Sequence, residues 1–214
     1  MKRLSVLAFL IALLCLSQAE CDEPYMIHID VDAKCLTVFR GDKLVKTYTI
    51  ATGTWDTPTP LGVFRINSRF HGEMSGFGTC FLGLNVPWGQ YGIHGTNKPA
   101  SIGQNASHGC IRLLNKDAEE LYAMIPNGTK VVIQSGSYGE LGDTLRTLKN
   151  GDRSSMVQAV QRKLRALGFY HGWPDGIYGS GTSQAVSEAR KAFGLQPGEI
   201  DWAFYQAIGL TLFE

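Results

Sequence analysis

The sequence predicts a mainly β domain followed by a small all-α domain of three helices. Three observations carry that reading. Residues 25 to 70 read as short alternating strands broken by polar turns. Apolar residues recur at steps of three and four from residue 156 onward. Between the two patterns lies a glycine- and serine-rich stretch, SGSYGELG, from Ser135 to Gly142. The 214 residues suffice for one ordinary domain and a small one, and 44% hydrophobic against 18% charged residues allow a true core. A formal net charge of +1 gives no bulk electrostatic case for nucleic-acid binding.

The N-terminus is read first. Lys2 and Arg3 precede an apolar run from Leu4 to Leu16, and Ser17-Gln18-Ala19 follows. A basic start, a short apolar run and a small-x-small site form the pattern of a secretory signal cut after Ala19. The run falls short of the roughly 20 apolar residues that cross a bilayer, so no stable membrane insertion is expected after cleavage. An uncleaved anchor is the alternative. A lipid-modified Cys21 is a weaker one, because Gln18-Ala19-Glu20 lacks the small apolar run expected there. Export to the periplasm or cell wall places the chain where disulfides persist. Cys21, Cys35, Cys80 and Cys110 remain after cleavage; if Cys110 is free, one pair among the other three is open, and spacing does not choose it.

The elements then follow in order. Tyr25 to Asp30 alternates, Cys35 to Arg40 follows, and Gly41-Asp42 punctuates before a strand from Leu44 to Ile50. Short turns between them argue antiparallel hairpins. Thr57-Pro-Thr-Pro-Leu-Gly62 is a stiff loop, since each proline fixes φ and lacks an N–H donor. A strand resumes from Gly62 to Phe70, and the polar, glycine-rich His71 to Thr79 reads as a mobile loop. Asp117 to Ile125 is a short helix with Asn115 or Asp117 as its N-cap, and Thr129 to Gln134 closes as a strand. This domain spans 25–134 and the linker 135–145. In 146–212, Met156, Val160, Leu164 and Leu167 mark a helix capped by Ser154 or Ser155; a second runs from Gly181 to Phe193 and a third from Asp201 to Ile208.

One segment concentrates the chemistry: IHGTNKPASIGQNASHGCIRL, Ile93 to Leu113. A thiol is a good nucleophile only as thiolate, so Cys110 needs a base or a positive environment. Histidine titrates near neutral pH and suits the part. His108 stands two residues away and shares a face with Cys110 if the segment is extended. His94 follows a strand at Tyr91-Gly92-Ile93 that can lie beside Cys110. Gly109 lets backbone approach closely, and its N–H can help hold an oxyanion. A zinc site from His94, His108 and Cys110 lacks the usual closely paired ligand spacing, so no metal is expected. His28 and His71 are read as incidental surface or strand histidines.

These residues carry a resemblance. His94-Gly-Thr-Asn-Lys-Pro-Ala-Ser-Ile-Gly103, Ser107-His-Gly-Cys-Ile-Arg-Leu113, Thr57-Pro-Thr-Pro-Leu-Gly-Val-Phe64 and Asn127-Gly-Thr-Lys-Val-Val-Ile133 together resemble the L,D-transpeptidase catalytic domain of the YkuD-like family, in order, over residues 25 to 134. The resemblance implies a β-sandwich-like fold, no cofactor, and acyl transfer on peptidoglycan stem peptides. It makes Cys110 the nucleophile, His94 the general base and acid, and His108 a second participant at the cleft. Ser107 and Gly109 flank the nucleophile, and backbone N–H groups near Gly109 and Cys110 would hold the oxyanion. Arg112 would stabilise the site or bind a substrate carboxylate, with a structural ion pair as the plainer alternative. Trp88, Tyr91 and the 71–79 loop would line or cover the cleft. The implied reaction cleaves a tetrapeptide stem through a Cys110 thioester, releases D-alanine, and forms a 3→3 cross-link. Water as acceptor would make the enzyme an L,D-carboxypeptidase, and a non-catalytic wall-binding protein is a third reading.

The C-terminal part is similar to a three-helix peptidoglycan-binding domain through Val157-Gln-Ala-Val-Gln-Arg-Lys-Leu164, Leu167-Gly-Phe-Tyr170 and Asp175-Gly-Ile-Tyr-Gly179. It departs from that family's pattern at Ala189-Arg-Lys-Ala-Phe193 and Gly198-Glu-Ile-Asp-Trp202. The resemblance implies peptidoglycan glycan as a partner, with a raised effective concentration at the wall; a stabilising appendage is the alternative.

Overall fold

The computed structural model describes residues 23–136, 141–142 and 144–210. The stretch expected to be an export signal, with Cys15, and Cys21 lie outside them.

The first domain is built on an eight-stranded sheet. Its strands are β1 (Tyr25–Asp30), β2 (Cys35–Arg40), β3 (Lys43–Thr49), β5 (Gly62–Met74), β6 (Gly78–Leu84), β7 (Tyr91–His94), β9 (Ile111–Arg112) and β10 (Lys130–Gln134). Their spatial order is β3-β2-β1-β10-β5-β6-β7-β9. A two-stranded sheet joins β4 (Thr52–Gly53) to β8 (Asn105–Ser107). The alternation read from sequence is visible in burial. Ile27, Ile29, Leu36 and Val38 point inward from β1 and β2 with no exposure, because alternate residues of a strand face opposite sides. The hairpins β1–β2 and β2–β3 are antiparallel as expected. Within the eight-stranded sheet two pairs are not: β1 runs parallel to β10, and β7 parallel to β9; the separate β4–β8 pair is parallel too. All three join strands far apart in the chain, where no tight turn dictates direction.

Residues 71–79, expected to be a loop, are largely strand. β5 continues to Met74 and β6 starts at Gly78, so the hairpin extends past His71, paired with Cys80. The long β5 pairs with β10 through Gly62–Arg65 and with β6 from Ile66 onward, which links the two halves of the sheet. The helix α1 (Asn115–Met124) buries Ala118 and Leu121 in the core. Its N-cap is Leu114, with no side-chain cap bond, rather than Asn115 or Asp117; Asp117 sits in the first turn, where a negative charge suits the helix dipole.

The C-terminal domain has α2 (Ser155–Ala166), α3 (Ser180–Ala192) and α4 (Trp202–Ala207) around its own core of Val157, Val160, Leu164, Val186 and Phe204. Ser154 caps α2 by accepting from the Val157 N–H, and Asp201 caps α4 by accepting from the Phe204 N–H at 2.9 Å. The buried Gln161 amide holds the 175–177 turn. Its Nε2 donates to Asp175 Oδ1 at 2.9 Å and the Ile177 carbonyl at 3.0 Å, and its Oε1 accepts from the Gly176 N–H at 2.8 Å.

That turn docks the second domain on the first. Gly176, at φ +73°, lies where a Cβ would stand 2.3 Å from Trp88 Cε3. Only glycine both accepts that φ readily and leaves room for the indole. Trp88 is thereby 5% exposed, Ile177 packs against the first domain's core, and the Leu61 N–H donates to Ser155 Oγ at 2.7 Å. The Asp175-Gly-Ile-Tyr-Gly179 stretch, which the resemblance associates with wall binding, serves in part as this contact. Among the described residues no helix is long and apolar enough to cross a membrane.

Candidate active site

The site forms where β7 and β9 run side by side. Ile93 pairs with Ile111 and His94 with Arg112, so Cys110 falls beside Gly92. Gly92 and His94 lie on one face of β7. The missing side chain at Gly92 makes room for Phe81, since a Cβ there would lie 2.3 Å from Phe81 Cζ. Phe81 in turn stacks on the His94 ring at 6.0 Å, and Phe77 meets that ring edge-on at 4.8 Å.

His94 is 2% exposed. Its Nδ1 lies 2.5 Å from the Gly95 carbonyl oxygen, which makes Nδ1 the protonated nitrogen and leaves Nε2 as the base. Burial between the two phenyl rings pulls the imidazole down from 6.5 to about 4, with the Arg112 charge adding to the fall and the Gly95 and Phe77 backbone opposing it. The imidazole is therefore neutral at physiological pH. Cys110 is partly buried, and burial pushes its thiol up; a backbone hydrogen bond from Gly92 and the Arg112 charge pull the other way. The two groups rest as thiol and imidazole rather than as an ion pair.

The backbone of the nucleophile turn is held by Ser107. Its Oγ donates to the Cys110 carbonyl at 2.6 Å and accepts from the Gly109 N–H at 3.1 Å. The Gly109 N–H is thus already engaged. Gly109 is buried at φ +105°, and a Cβ would lie 2.6 Å from Tyr91 Cε1 and 3.1 Å from the Pro58 carbonyl. This turn breaks the extended geometry that would have put His108 and Cys110 on one face. His108 is exposed and lines the adjoining cleft instead. The Thr57–Gly62 loop packs behind: Thr57 Oγ1 donates to the Ser107 carbonyl at 3.2 Å, and the buried Thr59 Oγ1 accepts from the Gly53 N–H at 2.8 Å.

Arg112 forms no ion pair among the described residues. Its Nη1 donates to the Ala106 carbonyl at 2.9 Å, and its buried Nε has no partner there. Its backbone exchanges two 2.9 Å hydrogen bonds with Ala51. Tyr91 is half-buried against Gly109 and Trp88 is core, so of the two only Tyr91 offers substantial surface to the cleft. His28 lies on β1, and His71 on β5, against Tyr122 at 5.4 Å. Cys35 and Cys80 are free thiols, so they do not pair with each other; Cys80 is buried, which raises it to about 11. No cluster of three or more His, Cys, Asp or Glu side chains that could hold a metal occurs among the described residues.

Residues 24–133 match the YkuD family, described as the L,D-transpeptidase catalytic domain. The chain belongs to the L,D-transpeptidase catalytic-domain family. Residues 153–208 match a family described as "Putative peptidoglycan binding domain". "Putative L,D-transpeptidase YkuD" of Bacillus subtilis is 47% identical over 110 residues, 51% of this chain and 66% of that protein. "Putative L,D-transpeptidase YqjB" of the same organism is 31% identical over 126 residues, 52% of this chain and 71% of that one. Among solved structures, an L,D-transpeptidase from Mycobacterium smegmatis is similar over 53% of this chain and 59% of its own, with 24% identity and a TM-score of 0.46. The chain thus spans just under two thirds of the YkuD relative's length.

In this L,D-transpeptidase domain, sequence reasoning missed Phe77 and Phe81, the walls that keep His94 neutral. Phe77 sat in the stretch read as a loop, and only the β6–β7 register, with Phe81 opposite His94, brings Phe81 to the ring. Ser107 was read as a flank, whereas it ties both ends of the turn.

Proposed function

We propose that this protein is an exported cysteine acyltransferase that cleaves the L,D bond of peptidoglycan tetrapeptide stems and forms 3→3 cross-links. The observation that carries the reading is a partly buried Cys110 set beside Gly92, on the strand whose next residue on that face is the buried, neutral His94, with Nδ1 engaged by the Gly95 carbonyl and Nε2 left unprotonated. As Cys110 Sγ attacks the carbonyl of the third stem residue, the thiol proton passes to His94 Nε2. Ser107 occupies the Gly109 N–H, so the developing oxyanion falls to the N–H of Cys110 itself. The tetrahedral intermediate collapses, the C–N bond breaks, and the leaving D-alanine amine takes the proton from His94. A thioester remains on Cys110. An amine of a second stem then attacks the thioester, His94 accepts its proton, and the returning thiolate recovers it.

The Arg112 charge favours the thiolate and disfavours imidazolium, so its two effects offset in the first transfer, and it speeds return of the proton from His94. His108, exposed at the mouth, meets the substrate rather than the sulfur. The second domain supports action at the cell wall or in the periplasm, with peptidoglycan as the partner. Full-length protein incubated with a defined disaccharide tetrapeptide should release D-alanine and form dimers, and Cys110→Ala should abolish both. Tripeptide without dimers would make the enzyme a carboxypeptidase; full activity in Cys110→Ala would remove the nucleophile.

A further inference from the structure

The contact between the two domains encloses a cleft of about 520 Å³ beside the nucleophile turn. Its near end is lined by His108 and Tyr91, whose ring lies against Gly109. It is lined by Trp55 and Asp56 from the catalytic domain and by Arg146 and Arg153 from the C-terminal part. The second domain therefore does more than tether: it completes the cleft.

The charges in this cleft are not equally available. Lys34 Nζ donates to the Val31 carbonyl at 2.5 Å, and Asp32 accepts from the Ser135 hydroxyl and the Gly136 N–H. Arg146, Arg153 and Asp56 form no ion pair with any described residue. Arg146 is already placed, its guanidinium 5.8 Å from the Trp55 ring centroid and its carbonyl bonded to Tyr205 Oη at 2.9 Å. The Trp88–Gly176 and Leu61–Ser155 contacts fix the two walls against each other.

We infer that Arg146 and Arg153 bind the C-terminal carboxylate of the donor stem, making the C-terminal domain part of the substrate site. This rests on the acyl-transfer reading above. Two guanidinium groups present paired N–H donors to one carboxylate, and the geometry suits a free acid far better than an amide. Asp56, lining the same cleft, matches the free ammonium of a diamino acid, so the charges complement a zwitterionic peptide. A stem that ends in D-alanine carries that carboxylate on the leaving residue itself, about 4 Å from the attacked carbonyl, so the assignment has the bond to be cut seated at the His108 and Tyr91 end of the cleft, with both guanidinium groups reaching toward it.

The test uses the full chain carrying Cys110→Ser, titrated calorimetrically with a disaccharide tetrapeptide and with the same peptide amidated at its C-terminus. Adding Arg146→Ala and Arg153→Ala should weaken binding of the acid roughly 30-fold, as expected for truncating paired charged hydrogen bonds. Arg146→Lys with Arg153→Lys should recover part of the loss and guards against a folding artefact. The amidated peptide should bind the chain with intact arginines as weakly as the acid binds the double alanine variant, with no further loss when both changes combine. Binding within threefold after double substitution, or losses that multiply, would overturn the assignment. Release of D-alanine by the chain with Cys110 intact reports separately on the chemistry: arginine-dependent binding without release supports the cleft and sinks the transfer reaction.

Discussion

A buried neutral histidine has a cost that rises as the solution becomes acid. An ordinary histidine is half protonated at 6.5, while His94 holds out to about 4. Between those values the unfolded chain binds a proton that the folded chain refuses. Stability is therefore undiminished above pH 6.5 and falls as pH falls through that window. At about 1.36 kcal/mol per pH unit, the full window carries about 3 kcal/mol at this one side chain. The perturbation is His94→Gln, which keeps a polar group near the Gly95 carbonyl but cannot titrate. Urea unfolding of both proteins at pH 7 and pH 4.5 isolates the effect: the wild type should lose about 2 to 3 kcal/mol more than the variant across that interval. Asp201, held below the usual carboxylate range by its hydrogen bond to Arg190, also loses stability toward low pH. It does so in both proteins, so it cancels. An NMR titration of the imidazole should place its midpoint near 4. Equal pH slopes for the two proteins, or a midpoint near 6.5, would refute the idea that Phe77 and Phe81 keep His94 neutral.

Two glycine substitutions probe other parts of the account. Gly109→Ala combines φ +105° with overlap on Tyr91, so it should cost about 2 kcal/mol or more and slow D-alanine release over tenfold; wild-type release rates would show that the turn does not need glycine. Gly176→Ala should cost about 1 to 2 kcal/mol from backbone conformation alone and push Trp88 outward. Acrylamide quenching of tryptophan should rise, and unchanged quenching with unchanged stability would show that the domains do not depend on this contact.

How much of this was legible in the sequence varies with the reach of the interaction. β1 and β2 carry strict alternation, and their observed limits match the pattern residue for residue. The helices of the second domain were legible from apolar spacing and from Ser154 and Asp201 at their starts. The far end of the β5–β6 hairpin was not, because Phe70 to Met74 face solvent or lie half-exposed and Gly72 and Gly78 mimic loop punctuation; cross-strand pairing overrides that composition. The Cys110 and His94 region was legible as chemistry from residue types. The geometry that ranks the two histidines was not, since it depends on the parallel β7–β9 register and on Gly109 turning His108 outward. The docking of Gly176 on Trp88 joins residues from separate domains and leaves no local pattern to read. Arg146 and Arg153 therefore gave no sign of belonging to the cleft.

The most direct test of the central claim is intact-mass spectrometry of the full chain within seconds of mixing with a disaccharide tetrapeptide. The account predicts an adduct equal to the substrate less D-alanine, mapped to Cys110, sensitive to hydroxylamine and absent from Cys110→Ala. No adduct while D-alanine is released, or an adduct on any other residue, would contradict it.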